Sequence, residues 1–219
     1  MTKTARPTFN LENTSSSFKI IAGIDEAGCG PLAGPVVAGA VIFLTQDLPD
    51  ALQSLIHDSK KLTEKKRDAA FEIMNKLSGT VLHYGVGIAE VAEIDQLNIG
   101  RATRLAMERS VLALSIPPEF ALIDGIRKPN LGCPSMTVIK GDATSLSIAA
   151  ASIFAKVTRD RLMQALDLHY PAYGWRKNAG YGTAHHLQAI QTHGITPYHR
   201  RSFEPIKTMV GGPVQGELF

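Results

Sequence analysis

Apolar and polar positions along the chain follow two different periods, and their order predicts an α/β fold. Apolar runs rich in β-branched residues indicate strands, whereas apolar positions three or four residues apart indicate amphipathic helices. The predicted strands cover residues 18–24, 36–44, 80–89, 120–123 and 136–139. The predicted helices cover residues 63–77, 99–114, 145–169 and 184–192. We therefore expect a layered sheet with flanking helices and a helical C-terminal region.

Chain length and composition predict a single folded unit. A chain of 219 residues with 44% hydrophobic residues can bury one sizeable core. We expect a disordered tail over residues 1–17, one domain over residues 18–207 and a flexible tail over residues 208–219. No apolar run approaches the roughly 20 residues that cross a bilayer. Cys29 and Cys133 show neither zinc-binding spacing nor a disulfide framework, so we expect a cytoplasmic protein.

The charge of the chain is small but unevenly distributed. The net charge is only +3, too small by itself to indicate a nucleic-acid partner. Residues 156–207 carry eight lysine or arginine side chains and three acidic ones, which leaves the remainder slightly acidic. This asymmetry suits an acidic metal site beside a basic phosphate-binding surface, although solvated helix faces produce similar counts.

Four carboxylates stand where predicted strands end. Asp25 and Glu26 close the first strand, Asp124 follows the fourth, and Asp142 follows the fifth. Phosphodiester hydrolysis by two divalent ions needs such a set, because hard cations require several oxygen ligands. Asp25 and Glu26 are adjacent, however, and adjacent side chains of a regular strand point to opposite faces. Asp142 could also be the cap of the helix that follows it, and Asp124 could belong to an ordinary turn. The hypothesis of a metal site therefore depends on all four carboxylates together.

Several ordered motifs resemble those of the ribonuclease HII family, the type 2 ribonucleases H. The first is the segment Gly23-Ile24-Asp25-Glu26-Ala27-Gly28-Cys29-Gly30-Pro31-Leu32-Ala33-Gly34-Pro35. The others follow in the same order as Asp58-Ser59-Lys60-Lys61-Leu62, Leu122-Ile123-Asp124-Gly125, Lys140-Gly141-Asp142, Ile148-Ala149-Ala150-Ala151-Ser152-Ile153, Ala155-Lys156-Val157-Thr158-Arg159-Asp160, Gly180-Tyr181-Gly182-Thr183 and His199-Arg200-Arg201-Ser202-Phe203. Motifs in order at compatible spacing are far more specific than any one alone.

The resemblance implies a ribonuclease H-like fold, with a mixed central sheet flanked by helices and a helical C-terminal extension. It implies that Asp25, Glu26, Asp124 and Asp142 are catalytic and bind two divalent ions, Mg²⁺ or Mn²⁺. The implied activity is an endonuclease that hydrolyses the RNA strand of RNA/DNA hybrids. Such an enzyme also cuts on the 5′ side of ribonucleotides embedded in duplex DNA, leaving 5′-phosphate and 3′-hydroxyl ends.

The same resemblance indicates which residues contact the substrate. The main chain of Gly28, Cys29 and Gly30 is the expected reader of the 2′-hydroxyl, since glycine permits close approach. Tyr181 resembles the family tyrosine that stacks on the next sugar and contacts the 2′-hydroxyl; without the resemblance, a tyrosine packed in a loop explains it equally well. The candidate phosphate contacts, for which a solvated surface is the alternative, are Lys60, Lys61, Arg200 and Arg201.

The chain departs from the family pattern at two positions. Cys29 stands where the family usually has arginine, so a charge-assisted phosphate contact is absent. Ala179 stands where a lysine often precedes the Gly-Tyr motif. Both departures predict weaker substrate binding with unchanged chemistry.

Two other functions remain compatible with these features. One is a different nuclease or recombinase of the same fold that cuts DNA without ribonucleotides. The other is a protein that binds hybrids with weakened catalysis, although clustered carboxylates repel phosphates and argue against a pure binder. Serine hydrolase chemistry is excluded because His57, Asp58 and Ser59 are consecutive and cannot readily converge as a triad. A nucleotide-binding P-loop is also absent from the sequence.

The expected partners follow from the implied activity. They are RNA/DNA hybrids and DNA containing ribonucleotides, bound by a monomer without membrane contact. The last residues, Gln215-Gly216-Glu217-Leu218-Phe219, are a candidate docking peptide for a replication clamp, although such chain ends are more often loose.

Overall fold

A mixed β-sheet forms the centre of the molecule, of which the computed structural model describes residues 6–15, 17–56 and 62–211. Within these residues, five strands pair in the order β3-β2-β1-β4-β5. They are β1 (Ile21–Ala27), β2 (Val36–Phe43), β3 (Leu82–Ala89), β4 (Phe120–Asp124) and β5 (Ser135–Val138). The first three strands are antiparallel neighbours, whereas β1, β4 and β5 run parallel.

Helices cover both faces of this sheet. They are α1 (Asn10–Thr14), α2 (Asp50–Leu55), α3 (Glu64–Lys76), α4 (Val91–Leu97), α5 (Ile99–Leu112), α6 (Leu146–His169), α7 (Trp175–Asn178), α8 (Ala184–His193) and α9 (Ile206–Met209). Short 3-10 turns lie at Gly141–Ala143 and Pro171–Tyr173. α6 packs on one face of the sheet and α5 on the other, while α7 to α9 form the C-terminal helical region. No helix in the described ranges has the length and apolar character needed to cross a membrane.

The architecture confirms the expected fold class, and the differences are local. The helix predicted over residues 63–77 is α3, and Thr63 caps it, because its side chain accepts a hydrogen bond from the N–H of Lys66. α4 is absent from the prediction, and a capping box between Glu90 and Glu93 starts it directly after β3. Residues 171–182, which fall between the predicted helices over 145–169 and 184–192, contain a 3-10 turn and α7.

Glycines in the strands let α6 lie close to the sheet. A Cβ atom at Gly23 would come 2.2 Å from the carbonyl carbon of Ser147, and one at Gly39 would come 2.4 Å from the carbonyl oxygen of Ala151. Both distances are far below van der Waals contact, so any side chain would force the helix away. This close packing determines the distance between α6 and the residues of β1 that follow Gly23.

The N-terminal segment packs on the domain, so the expected tail over residues 1–17 is wrong for residues 6–15. The N–H of Thr8 donates to the carbonyl oxygen of Thr144 at 3.0 Å. The N–H of Leu146 donates to the carbonyl oxygen of Thr8 at 3.1 Å. Glu12 is buried, and its Oε1 accepts from the hydroxyls of Ser145 and Ser147, each at 2.6 Å. At the other end, α9 reaches Met209, beyond the expected start of the C-terminal tail. Residues 1–5, 16 and 212–219 lie outside the described residues.

Candidate metal centre

Three carboxylates from separate parts of the chain meet at one end of the sheet. One oxygen from each of Asp25, Asp124 and Asp142 lies within 4.8 Å of the others. The parallel pairing of β1 with β4 brings Asp25 and Asp124 to neighbouring positions. Asp142 lies in the turn Gly141–Ala143, and the N–H of Gly141 donates to Oδ1 of Asp124 at 2.6 Å. This hydrogen bond ties the turn that carries Asp142 to the end of β4.

The electrostatics of this group suit a bound cation. Asp25 and Asp142 are only 3% and 5% exposed. Burial, followed by the negative charges of Glu26, Asp124 and Asp142, raises the pKa of Asp25 well above its ordinary value, although the N–H of Glu26 donates to Asp25 and opposes this. A divalent cation relieves the repulsion, and carboxylate oxygens are the ligands that Mg²⁺ and Mn²⁺ prefer. The donor set therefore fits a divalent metal ion.

Glu26 is not part of this close group of three carboxylates. Side chains alternate along β1, so Asp25 lies on the α6 side of the sheet and Glu26 on the α5 side. Oε1 of Glu26 lies 3.7 Å from Nη1 of Arg127 and 3.5 Å from Sγ of Cys29. Glu26 nevertheless lines the same cavity as Asp25. The structure thus groups three of the four predicted ligands, and the ligand role of Glu26 stays a prediction.

The glycine turn over residues 28–30 lies beside the carboxylates and is held from inside the protein. Gly28 has a φ of +100°, and a Cβ there would come 2.1 Å from Nε of Arg159, so this position requires glycine. Arg200 is fully buried and donates to the carbonyl oxygens of Gly28 at 2.6 Å, Cys29 at 3.1 Å and Gly34 at 2.8 Å. Burial lowers the pKa of Arg200 to about 9. The expected phosphate contact by Arg200 is therefore wrong, because main-chain oxygens inside the protein occupy its guanidinium.

Arg159 is a second buried arginine, and sequence reasoning gave it no role in the site. It donates to the carbonyl oxygens of Pro35 at 3.0 Å, Ala179 at 2.9 Å and Ala33 at 3.1 Å. These bonds join the segment after the glycine turn to the loop that precedes Tyr181. A signal was present in the sequence, because the residues one turn before and one turn after Arg159 on α6 are apolar and buried. A charged residue on such a face indicates a buried partner.

A cavity of about 300 Å³ lies between the carboxylates of Asp25 and Glu26 and the loop that carries Tyr181, the tyrosine loop. Its lining residues are Asp25, Glu26, Ala27, Gly28, Cys29, Gly30, Ser152, Lys156, Arg159 and Tyr181. Tyr181 is 51% exposed at the edge of this cavity. Lys156 was not a predicted site residue, and its Nζ donates to Oδ1 of Asp160 at 2.5 Å. The structure therefore brings the expected ribose-reading residues into one cavity with Asp25 and Glu26.

Three other residues, Arg201, Lys60 and Lys61, are predicted to contact phosphates, and the structure describes only Arg201. The side chain of Arg201 is exposed, while its N–H donates to Oδ2 of Asp95 at 3.0 Å. An exposed guanidinium is compatible with a phosphate contact, which stays a prediction. Lys60 and Lys61 lie outside the described residues.

Cys29 places a neutral thiol at the edge of the site. Its Sγ lies 3.3 Å from Oγ1 of Thr103 and 3.5 Å from Oε1 of Glu26. Burial, followed by the charge of Glu26, raises the pKa of Cys29 to about 11. The thiol therefore stays protonated at neutral pH, where it is a poor nucleophile and carries no charge.

Comparison with known proteins identifies the family. The family model described as Ribonuclease HII matches residues 22–206. Ribonuclease HII of Gluconobacter oxydans is 52% identical over 191 residues, which cover 87% of this chain and 91% of the relative. The crystal structure of ribonuclease H2 from Pyrococcus horikoshii has a TM-score of 0.72 and 25% identity, covering 87% of this chain and 96% of that chain. A structure of the PCNA:RNase HII complex from Archaeoglobus fulgidus has a TM-score of 0.69 and 25% identity, covering 84% and 95%. The chain therefore belongs to the ribonuclease HII family and is a ribonuclease H, an endonuclease of the hydrolase class.

Proposed function

We propose that this enzyme hydrolyses the RNA strand of RNA/DNA hybrids and cuts on the 5′ side of single ribonucleotides in duplex DNA. The products are 5′-phosphate and 3′-hydroxyl ends. One observation carries this proposal: Asp25, which belongs to a cluster of three carboxylates, lines a cavity together with a glycine turn and an exposed tyrosine. Carboxylates alone suit any phosphodiester hydrolase with a metal site, whereas the adjacent main chain and aromatic ring support recognition of a ribose.

The carboxylates are the groups that would hold the metal. Asp25, Asp124 and Asp142 offer oxygens close enough to share a divalent ion, and Glu26 is the proposed additional ligand when two ions are bound. We propose Mg²⁺ or Mn²⁺ as these ions. Bound divalent ions stabilise the negative charge that develops on the phosphate and lower the pKa of water. The protein keeps the three carboxylates in place because they lie on strands β1 and β4 and on a turn bonded to β4.

The glycine turn supports discrimination between ribose and deoxyribose. Arg200 occupies the carbonyl oxygens of Gly28 and Cys29 from inside. Across the described ranges of the chain, no atom accepts a hydrogen bond from the amide N–H of Cys29 or Gly30. Free N–H donors beside the cavity can bond a 2′-hydroxyl oxygen, which deoxyribose lacks. Tyr181, at the edge of the same cavity, would stack on the neighbouring sugar.

A duplex that carries one ribonucleotide tests this function. We expect the wild-type enzyme to cut it on the 5′ side of the ribonucleotide with Mg²⁺ or Mn²⁺, and to leave an all-DNA duplex intact. Asp124→Asn should lower kcat by about 100-fold or more, because it removes one charge from the ligand set. Asp47→Asn, which changes an exposed carboxylate of the loop after β2, is the matched control and should cut normally.

The alternatives give different products in the same assay. Cutting of the all-DNA duplex would indicate a DNA nuclease and contradict the proposal. Binding of the hybrid without any product in either metal would indicate a hybrid-binding protein. Product with a 5′-hydroxyl end would also contradict the proposal, because the proposed hydrolysis leaves the phosphate on the 5′ end of the fragment that begins with the ribonucleotide.

The proposed partners and location follow from this activity. The Archaeoglobus fulgidus relative was solved in a complex with PCNA, which supports a replication clamp as a partner of this enzyme. The candidate docking peptide, residues 215–219, lies outside the described residues. We propose a monomer that works in the cytoplasm on chromosomal DNA.

A further inference from the structure

Two buried histidines lie directly behind the tyrosine loop. His186, in α8, and His199 are 0% and 1% exposed, and their Nε2 atoms lie 3.1 Å apart. Nδ1 of His186 lies 2.9 Å from the carbonyl oxygen of Tyr181. Nε1 of Trp175 lies 3.0 Å from Nε2 of His186. These three side chains do not line the cavity of the carboxylates, so the proposed chemistry gives them no direct role.

The neighbours determine which nitrogen of each ring carries the hydrogen. The indole N–H of Trp175 can only donate, so Nε2 of His186 accepts and Nδ1 carries the hydrogen. The N–H of Thr196 donates to Nδ1 of His199 at 2.9 Å, so His199 carries its hydrogen on Nε2. His199 therefore donates to His186, and His186 donates to the carbonyl oxygen of Tyr181. Burial lowers the pKa of both histidines, which keeps them neutral and preserves this order of bonds at neutral pH.

The carbonyl oxygen of Tyr181 joins this hydrogen-bond network to a residue that lines the cavity. The side chain of Tyr181 is half exposed, so its own main chain must set much of its position. That main chain has local contacts, since its N–H donates to Asn178 at 2.9 Å and its carbonyl oxygen accepts from the N–H of Thr183 at 2.8 Å. The bond from His186 connects this carbonyl to a buried ring outside the loop.

We propose that His186 is a positioning residue that fixes the main chain of Tyr181 so that its ring meets the ribose. Trp175 and His199 act through His186, because they hold it in the tautomer that donates to Tyr181. This inference rests on the proposed function, since it takes Tyr181 as a substrate contact.

Two substitutions separate this role from a purely structural one. In His186→Asn the amide nitrogen can take the place of Nδ1 and donate to Tyr181, but the acceptor for Trp175 and His199 is lost. In His186→Gln the amide oxygen can take the place of Nε2 and accept from both, but the donor to Tyr181 is lost. The asparagine variant should be the less stable one, because its lost acceptor leaves two buried donors unsatisfied. If His186 positions Tyr181, the glutamine variant should nevertheless be the less active one, because it lacks the donor to Tyr181.

We expect His186→Gln to unfold at the higher temperature and yet to be the less active variant. Its kcat/KM on the duplex with one ribonucleotide should fall about tenfold, mainly through KM, because a substrate contact is misplaced. His186→Asn should unfold at a lower temperature and keep the larger share of the activity. Activity that follows the unfolding temperature in both variants would overturn the proposal, since a structural role alone gives that result.

A double-mutant cycle with Tyr181→Ala supplies the second measurement and needs only the glutamine variant. If His186 acts through Tyr181, His186→Gln should change kcat/KM by less than about twofold once the ring is absent. A full tenfold loss in both backgrounds would overturn the inference. Failure of the wild-type enzyme to cut beside the ribonucleotide would contradict the proposed function instead, so the two failures are distinguishable.

Discussion

Arg200 and Arg201 are neighbours in the sequence with opposite environments. The guanidinium of Arg200 is fully buried against main-chain oxygens of the glycine turn, whereas the side chain of Arg201 is exposed. Both lie in a segment without regular secondary structure, so no periodicity distinguishes an inward from an outward side chain. The two roles therefore cannot be separated without the tertiary structure.

Cys29 gives a prediction that concerns one side chain. Cys29→Arg should tighten the binding of a ribonucleotide-containing duplex by about tenfold, because an arginine adds a charge-assisted phosphate contact. The dependence of affinity on salt should steepen by about one released counterion. Fluorescence anisotropy in an Asp124→Asn background measures binding without cutting.

Cys29→Gln is the matched control for this substitution. It adds a long polar side chain without charge, so it should bind as weakly as the wild-type enzyme. Affinity of Cys29→Arg that equals or falls below that of Cys29→Gln would refute the role assigned to the missing charge.

At the scale of elements, the alternation of β1 and its contact with α6 arrange the site. Asp25 lies on the face covered by α6, and Glu26 lies on the opposite face. There the thiol of Cys29 contacts both the carboxylate of Glu26 and the hydroxyl of Thr103 in α5. Gly39 pairs with Asp25 across the sheet and lies against α6. Close packing of this helix on the strands therefore maintains the surroundings of Asp25.

Gly39→Ala tests this packing. The new Cβ would meet the carbonyl oxygen of Ala151 at 2.4 Å, and the backbone of a helix cannot move away as an exposed side chain can. We expect the free energy of unfolding to fall by about 1–3 kcal/mol, as measured by urea denaturation. Gly132→Ala is the control, because no atom lies within 4 Å of its Cβ position and the change should be near zero. Equal stability of the two variants would mean that α6 can shift without cost.

At the scale of the whole molecule, the C-terminal region completes a site that the sheet begins. Arg200 follows α8 and holds the glycine turn after β1, while Arg159 of α6 joins that region to the loop before Tyr181. The buried histidine pair lies within this region. The proposed substrate-reading residues thus depend on contacts between the central sheet and the C-terminal helices.

The histidine pair predicts how stability changes with pH. Burial, followed by the neighbouring His186, lowers the pKa of His199 to about 4 from an ordinary value of 6.5. A histidine with a lowered pKa stabilises the fold above the ordinary value, and this contribution is lost as the pH falls from about 6.5 towards 4. Because the unfolded chain takes up a proton at His199 before the folded protein does, the free energy of unfolding should fall by about 2 kcal/mol between pH 7 and pH 5. The raised pKa of Asp25 acts in the opposite direction, because its protonation on acidification relieves repulsion in the metal-free protein.

Comparison of variants isolates the contribution of His199, since Asp25 is common to all of them. Urea denaturation in EDTA should show a smaller change between pH 7 and pH 5 for His199→Gln than for the wild-type enzyme. His193→Gln changes an exposed histidine of α8 and should keep the wild-type dependence. An unaltered dependence in His199→Gln would show that His199 does not titrate as expected.

The sequence by itself determined the fold class, the order of the main strands and helices, and the positions of Asp25, Asp124 and Asp142 after strand-like runs. It could do so because period, capping and turn chemistry act over a few residues, and because the motifs resemble one family. Only the tertiary structure decided which of these groups meet: it gathered three carboxylates, placed Glu26 on the other face, turned Arg200 inward and packed residues 6–15 on the domain. Those outcomes depend on contacts between residues far apart in the chain, which no local pattern encodes.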